Sequence, residues 1–471
     1  NLDVNNYVSI SSMVDKYFKN EGVYEGVFEL SSYVREFTQR SMVGGRTMCR
    51  ENKKYHLPDV RLADFDAVSL YGSSMQRLVG YLKGKPKVLK TCTYDFLQSV
   101  DGYFVEIQIT KVNKRLKFPL LSRRTEAGIR DFTNDMEGEV VNVDRYMLED
   151  CIKFHGLEFE VIRGYYYDEG RNPTLKTVIE NLFNERVKAK AANNAIQVVY
   201  KLMGNAAYGK TLMKPFDSDT KFLSFERAKI FIERNYNKIK SIDILGSVTW
   251  EELEHAAASE DEKVRGVLHT KLKIKTAEPI ADHFNLASCG CEVLSMSKRI
   301  MNEVMCLAED MNLNIYYQDT DSMHIDADAV NLLAEQYKID YKGRELIGKG
   351  MGQFHTDFDS KVLKGEIYAC ESIFLGKKCY IDKLTDGETK HPDGSLVYEY
   401  HTRMKGMNTL GIQHRADEDF DGDLMAVYKS LYDGNTLAFD LCGGGEKPTF
   451  DHQSNGTISS KREFIRNIQF K

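Results

Sequence analysis

Few features of this chain would interrupt folding. Eight prolines are spread over 471 residues, and no Gly/Ser-rich stretch is long enough to separate independent domains. No apolar run reaches the roughly 18–20 residues that a spanning helix needs, so no membrane partner is expected. Internal repeats and low-complexity tracts are absent, which excludes solenoid and collagen-like architectures. With 42% hydrophobic and 28% charged residues, the composition is that of an ordinary globular chain and not a disordered one. At roughly 100–200 residues per domain, the length suits about three units or one large multilobed enzyme.

Paired cysteines are also lacking. The nine cysteines (49, 92, 151, 289, 291, 306, 370, 379, 442) are odd in number and scattered. They read as reduced thiols of an intracellular protein, in cytoplasm, nucleus or an organelle. Cys289 and Cys291 stand too close together for a zinc pair and no second pair follows, so all nine are expected to be packing residues. Nor is there an excess of positive charge: 64 Lys and Arg against 70 Asp and Glu leave −6. That net value does not advertise nucleic-acid binding, although steering depends on local patches and is not excluded by it. The first residue is Asn1 with no signal peptide before it, so a fragment or processed product is expected.

Against this plain background several segments carry a pattern. Residues 102–121 alternate through Val105, Ile107 and Ile109 and predict a strand ending at Pro119. Lys111, Lys114, Arg115, Lys117, Arg123 and Arg124 form a basic cluster on and beside it. Residues 292–311 carry Val293, Met296, Ile300, Met301, Val304, Leu307 and Met311 at helical spacing, a core stripe. Residues 251–263 hold six acids and one lysine, a solvated helix or loop. The tail, with Phe439, Leu441, Phe450 and Phe464, is expected to be a folded small lobe.

Three segments carry chemistry. In Asp64-Phe-Asp66-Ala67-Val68-Ser69-Leu70-Tyr71-Gly72, strand alternation puts Val60, Leu62, Asp64 and Asp66 on one face. A carboxylate at the end of an apolar strand is held rigidly, as a metal ligand must be. The pattern Asp-x-Asp is common here, however: 64/66, 319/321, 326/328 and 357/359 all match. The second segment, Ile315 to Ile325, is an apolar strand running into Asp319-Thr320-Asp321-Ser322 and an apolar strand leaving it. That predicts a hairpin with two carboxylates at its tip. Clustered carboxylates repel unless a cation neutralises them, and hard oxygen donors suit Mg²⁺. The third, 186–214, has six cationic residues and no acid. Read as one helix, it places Arg186, Lys190, Gln197, Lys201, Asn205 and Tyr208 on one face and Ala192, Ala195, Val199, Leu202, Met203 and Ala206 on the other. A cationic face of this kind can grip a triphosphate.

Two further matches are decoys. Gly204 to Thr211 fits a phosphate-loop pattern, but the residues before it are helical and Met213-Lys214-Pro215 stops a helix soon after. Asp417-x-Asp419-x-Asp421-Gly422 begins like a calcium loop, but its twelfth position is Tyr428 where Glu is required.

Taken in order, these segments resemble family B DNA polymerases, in particular the protein-primed branch of linear plasmids, phages and eukaryotic viruses. The family's first motif, Asp-x-x-Ser-Leu-Tyr, is matched by Asp66 to Tyr71. Its second, Lys-x-x-x-Asn-x-x-Tyr-Gly, is matched by Lys201, Asn205, Tyr208 and Gly209. Its third, Tyr-x-Asp-Thr-Asp-Ser, is matched by Tyr317 to Ser322. Lys378-Cys-Tyr380 and Lys405-Gly406-Met407 match two later elements. The likeness spans about residues 40–410. Gly72 stands where the family has Pro, Ala206 where it has Ser, and Met42-Val-Gly44-Gly45 where it has Tyr-x-Gly-Gly.

The resemblance implies an α+β right-hand polymerase: a palm of antiparallel sheet and helices, fingers, thumb and two insertions. It divides the chain into an exonuclease–polymerase junction and first part of palm (1–85), a first terminal-protein region (86–170), fingers (171–212), a second terminal-protein region (213–275), palm (276–410) and thumb (411–471). It implies a DNA-directed DNA polymerase that adds deoxynucleotides to a primer 3′-hydroxyl. Two Mg²⁺ ions, or Mn²⁺ as substitute, would be held by Asp66, Asp321 and the Ala67 carbonyl, with Asp319 supporting the catalytic site. Tyr71, Lys201, Asn205, Tyr208 and the 67–70 backbone (Ala67, Val68, Ser69, Leu70) would bind nucleotide. Lys378, Tyr380, Gly209, Ser322, Gly44, Gly45 and Lys405 would contact DNA. The implied partners are template–primer DNA, deoxynucleoside triphosphates and a terminal, priming protein. The basic cluster leads us to expect that 86–170 encircles DNA or docks that protein, with the acidic 251–263 run away from the phosphate track. The family's exonuclease module starts on Asp-x-Glu; Asp3-Val4-Asn5 is not that pattern, so no 3′→5′ exonuclease activity is expected of the chain. The alternatives are a phosphate-loop NTPase, which leaves Asp66 and Asp319–Asp321 without a role, and a non-catalytic DNA-binding polymerase remnant.

Overall fold

The methionine stripe forms the helix Ala287–Asp310, whose residues are buried nearly throughout. An all-round buried helix needs partners on every side. In this computed structural model, which describes residues 6–7, 9–212, 218–277, 286–441, 449–452, 458–461 and 465–470, it has them. On one side lies a nine-stranded sheet in the order Thr47–Cys49, Ile315–Asp319, Ser322–Asp326, Leu62–Ala67, Tyr368–Gly376, Cys379–Thr385, Glu399–Met404. Phe354–Thr356 also pairs with Leu62–Ala67, and Tyr55–Leu57 with Tyr368–Gly376. Every pairing is antiparallel. Phe65, Met323, Ile325, Ile300, Met301 and Val304 fill the space between helix and sheet.

On another side lies a four-stranded sheet, Lys87–Val88, Leu157–Tyr167, Gly102–Val112 and Val140–Asp144, backed by the helix Arg145–His155. Its core of Val105, Ile107, Ile109, Leu148 and Cys151 includes Cys306 of the central helix. Arg299 Nε donates to Asp150 Oδ1 at 2.6 Å, and Arg46 Nη1 donates to the carbonyls of Phe118 and Pro119 at 2.9 and 3.0 Å. The region is therefore bolted to the rest and is not a free appendage.

Two expectations for it are corrected. The strand ends at Val112, not at Pro119. The Asn113 side chain turns to the Gly156 carbonyl (2.8 Å), the Lys114 N–H donates to His155 O (2.8 Å), and Leu116, Phe118, Leu120 and Leu121 are all buried from a loop. Nor is the basic cluster a free cationic patch: Lys111 faces Glu158, Lys114 faces Asp310, Arg115 faces Asp135 at 2.8 Å and Arg123 faces Glu139 at 3.5 Å.

The segment 186–214 is two helices and not one. Thr174–Ala191 and Ile196–Leu212 are separated at 192–195, where Asn193 takes a left-handed φ of 50° and Asn194 Oδ1 accepts the Ile196 N–H at 3.0 Å. Asn is among the few residues that adopt this conformation readily. The six-residue cationic face therefore divides, with Arg186 and Lys190 on the first helix. The apolar face divides too: Met203 and Ala206 pack against the core, whereas Val199 and Leu202 are exposed.

Residues 218–277 build a small unit of three strands, Ser218–Ser224, Lys271–Ala277 and Ile239–Ile244, around Phe225, Ala228, Leu253, Leu272 and Ile274. Its acidic helix, Trp250–Ala258, opens with a capping box between Thr249 and Glu252 and faces solvent, as its composition predicts. The tail folds around Ile412, Val427, Tyr428, Leu431 and Phe439. Phe464, Cys442, Met213, Lys214, Pro215 and Asp3 to Asn5 lie outside the described residues. The eight described cysteines are all free thiols. Among the described residues no helix is long and apolar enough to cross a membrane.

Candidate functional site

The hairpin at 315–326 closes through Thr320 and Asp321 alone, with Thr320 at φ 63°. The turn is pinned from two sides: Thr320 N–H donates to Arg46 O at 2.9 Å, and Asp321 N–H to Asp319 O at 2.7 Å. The strand Leu62–Ala67 pairs with its second arm so that Asp66 faces Ser322, and Ala67 N–H donates to Asp321 O at 2.8 Å. Sheet register thus places Asp66 and Asp321 side by side, although 254 residues of chain lie between them. Both line a groove of about 800 Å³, with Tyr71, Asp64, Asp357, Asp359, Lys378, His401 and Arg403 around it.

The electrostatics of this groove call for a cation. Burial pushes the Asp66 carboxyl up to about 8, and the negative charges of Asp321, Asp357 and Asp64 add to it, with Lys201 opposing. Asp321 is raised as well, by burial and then by Asp319 and Asp64, against its backbone N–H and Lys378. Carboxylates that hold one another's protons on are poorly stable ionised, and an oxygen-only donor set of this kind fits a hard divalent ion.

Asp319 differs from its neighbours. Its Oδ1 accepts from Lys378 Nζ at 2.7 Å and from Thr47 Oγ1 at 3.1 Å, so its charge is already partnered. Lys378 itself sits at φ 56°, its N–H donating to the Tyr317 hydroxyl at 2.8 Å, and Lys405 N–H donates to its carbonyl at 2.9 Å. Tyr380 is only 4% exposed, its ring packed near Tyr317, Phe374 and His401, with one edge on the groove. Lys378 is thus the member of the Lys-Cys-Tyr element whose cation reaches the groove, paired with Asp319, and Tyr380 is chiefly core.

On the other flank Ser69 adopts φ 51° as the chain turns from strand into the helix Leu70–Arg77. Val68 N–H donates to Gln353 O at 2.8 Å. The turn presents the Tyr71 ring to Tyr208, stacked at 4.2 Å and 26°. Lys201 and Asn205 are exposed on the helix Ile196–Leu212, one to two turns before Tyr208 and Gly209. A cleft lined by Ser69, Gly72, Arg186, Tyr200, Lys201 and Gly204 shows that Arg186 returns beside Lys201 from the neighbouring helix. Gly204 to Thr211 lies within one continuous helix, so no phosphate loop exists there.

Gly44 and Gly45 precede the edge strand Thr47–Cys49, which pairs with the hairpin's first arm. A Cβ at Gly45 would lie 2.5 Å from Thr320 Cγ2, whereas one at Gly44 would meet nothing. Gly45 therefore lets the backbone run against the tip that carries Asp321. Gly45→Ala is expected to displace that tip and destabilise the protein by about 1–3 kcal/mol, with Gly44→Ala near wild type; thermal unfolding of the two variants checks the pair.

Sequence reasoning gave no role to His324, Asp382, His401 or Arg403, and noted Asp64 and Asp357 only as members of Asp-x-Asp pairs. His324 and Asp382 are wholly buried, with His324 Nε2 bonded to Asp382 Oδ2 at 3.0 Å. Burial pulls His324 down, but Asp382 and Asp64 outweigh it and leave it up at about 8. The Asp357-x-Asp359 pair was visible but indistinguishable from three other Asp-x-Asp matches. Only its register with Asp64, whose carbonyl accepts the Asp357 N–H at 2.9 Å, places it in the groove.

No match was found among curated proteins. Among solved structures, Phi29 DNA polymerase complexed with primer-template DNA in a post-translocation binary complex is similar with a TM-score of 0.62 and 15% identity, over 99% of this chain and 68% of that one. Its ternary complex with primer-template DNA and incoming nucleotide substrates gives a TM-score of 0.60, at the same identity and coverage. At that identity the likeness is one of fold, and it is the α+β right-hand polymerase fold. The family profile described as DNA polymerase type B, organellar and viral, matches residues 1–277, more than half of the sequence. The chain belongs to the organellar and viral type B DNA polymerases.

Proposed function

We propose that this DNA-directed DNA polymerase extends a primer 3′-hydroxyl in the groove between Asp66 and Asp321, using two Mg²⁺ ions (Mn²⁺ substituting), in protein-primed replication of a linear genome. The observation that carries the site assignment is the register that sets Asp66 beside the Asp321 hairpin tip, in one groove with Tyr71 and Lys378. Enzymes of this family use divalent metal ions. Asp66, Asp321 and the Ala67 carbonyl would hold such ions, which would supply a lowered pKa at the primer hydroxyl and a counter-charge to the triphosphate.

The protein's own residues do the rest. Lys201 places a cation on the triphosphate side of Asp66, where charge builds on the leaving group. Asn205, Tyr208 and the backbone of Val68 to Leu70 border the incoming nucleotide and the nascent base pair. Lys378, held by Asp319 and the Tyr317 hydroxyl, offers the primer strand a positioned cation, with Ser322, Lys405, Gly209 and the edge of Tyr380 along the same track. Gly44 and Gly45 pass the template side of the hairpin. In Phi29 DNA polymerase the same fold takes primer-template DNA and nucleotide substrates, and we carry both over as partners. A terminal protein is the proposed third, and 86–170 encircles DNA or docks it; the junction and first part of palm (1–85), fingers (171–212), second terminal-protein region (213–275), palm (276–410) and thumb (411–471) complete the division.

Primer extension on a primed single strand with Mg²⁺ tests the reading. Template-directed addition is expected; no addition with either Mg²⁺ or Mn²⁺ would leave a DNA-binding remnant. Sugar choice provides a second test. The Tyr71 ring, fixed against Tyr208, is the proposed bar to a 2′-hydroxyl. Tyr71→Val is expected to raise ribonucleotide incorporation at least tenfold relative to deoxynucleotide, because the steric bar is removed. Unchanged discrimination would place the barrier elsewhere.

A further inference from the structure

Beneath the groove, two buried polar atoms face each other without a hydrogen-bond partner. Asp64 Oδ1 and His324 Nδ1 are both inaccessible to solvent, both unpaired, and 3.9 Å apart. His324 Nε2 already donates to Asp382 Oδ2, so in the neutral ring Nδ1 turns a lone pair toward a carboxylate oxygen. The separation is too long for a direct hydrogen bond and suits a cation between them. A third donor is at hand: a ring nitrogen of His401, on the strand Glu399–Met404, lies within 4.8 Å of the Asp64 and His324 ligand atoms. The same Asp382 carboxylate receives His401 Nδ1 at 3.3 Å and the Ser372 hydroxyl at 2.7 Å. A carboxylate that orients two imidazoles is the usual outer partner of metal-binding histidines.

We infer that Asp64, His324 and His401 form a transition-metal site of the Zn²⁺ class, separate from the Asp66–Asp321 pair. Two imidazoles and one carboxylate are the donor set that Zn²⁺ takes in three-ligand sites, leaving a fourth position for water; Mg²⁺ prefers oxygen. Asp64 and His401 line the groove, so that fourth position opens toward it. Tetrahedral coordination draws ligand atoms to about 3.4 Å from one another, which the Asp64–His324 pair nearly meets and which His401, the most exposed of the three, reaches by side-chain rotation. The ion would fasten three strands of the sheet: Leu62–Ala67, which carries Asp64, Ser322–Asp326, which carries His324, and Glu399–Met404, which carries His401.

The test uses the whole chain, freed of metal with a chelator and titrated with Zn²⁺ against a chromophoric competitor, with no DNA or nucleotide present. Its outcome is therefore independent of the polymerase reading. Asp66→Asn/Asp321→Asn is expected to keep one tight Zn²⁺ per chain, showing that the ion does not sit at the catalytic carboxylates. His401→Ala and the near-isosteric Asp64→Asn are expected to lose it, and Asp382→Asn to weaken it about 10- to 100-fold. Zn²⁺ should raise the thermal midpoint of the wild type and not that of His401→Ala. His401 is partly exposed, and circular dichroism confirms that its variant is folded. No tight Zn²⁺ in the wild type, which would leave a proton on His324 as the only cation, overturns the proposal. So does equal binding by His401→Ala and Asp64→Asn, or loss of the ion from the Asp66→Asn/Asp321→Asn protein.

Discussion

Asp321→Asn is expected to abolish nucleotide addition while leaving primer–template affinity close to wild type. The substitution keeps the shape of the hairpin tip, because the contacts that pin it run through the backbone: Asp321 N–H to Asp319 O, and Ala67 N–H to Asp321 O. What disappears is one of the two carboxylates proposed to hold the divalent ions. Charge stabilisation of several kcal/mol goes with it, worth about 10³-fold or more in rate. Removing a negative charge from the groove does not repel phosphate, so a binding assay should change little. Stability offers an independent readout. Asp321 is the largest charged contributor to the raised Asp66 carboxyl, so the variant relieves a repulsion. Without metal its thermal midpoint should be at or above that of the wild type, and the added stability from Mg²⁺ should shrink. Residual activity above a few percent of wild type, or a collapsed midpoint, would defeat the assignment. Asp326→Asn is the control: Asp326 lies beyond the turn, accepting from Asn314 Nδ2 at 3.1 Å, and should matter little.

What could be read in advance follows how local the determining interactions are. The hairpin was legible because apolar strands flank a four-residue polar step, and the pairing of its tip with Asp66 followed from an ordered set of motifs. The buried helix was legible from its methionine spacing alone. The break at 192–195 was not, because neither Gly nor Pro marks it; Asn193 takes the left-handed turn and Asn194 caps the next helix, and both are also tolerated inside a helix. The stretch 113–121 misled for a related reason. Leu116, Phe118, Leu120 and Leu121 are apolar because a loop lies between the second sheet and the central helix, not because a strand continues. The cluster of Asp64, His324, Asp382 and His401 was the least legible part. Each member sits on a different strand, so only sheet order brings them together.

The fingers carry the second large effect. Lys201 is exposed, yet its charge reaches Asp66 and opposes the protonation that the surrounding carboxylates favour. On the proposed reading such a lysine costs little in the resting protein and acts when the triphosphate arrives, so its contribution should be felt mainly in the transition state. Lys201→Ala is expected to lower kcat for nucleotide addition about 10²- to 10³-fold, the size seen when one preorganised donor to developing charge is removed. Arg186 lines the same cleft from the neighbouring helix, but it comes from a different turn and its guanidinium is shifted down by burial. It should bind the substrate about equally in ground and transition states, so Arg186→Ala is expected to raise KM for the nucleotide several-fold with a smaller change in kcat. Lys201→Arg, which retains the charge but spreads it over a planar group, should fall between wild type and Lys201→Ala. The contrast between the two helices is what pre-steady-state kinetics can resolve. If Lys201→Ala stays within about threefold of wild type in the rate of single-nucleotide addition, Lys201 is a solvated surface residue and the triphosphate is gripped elsewhere on the fingers.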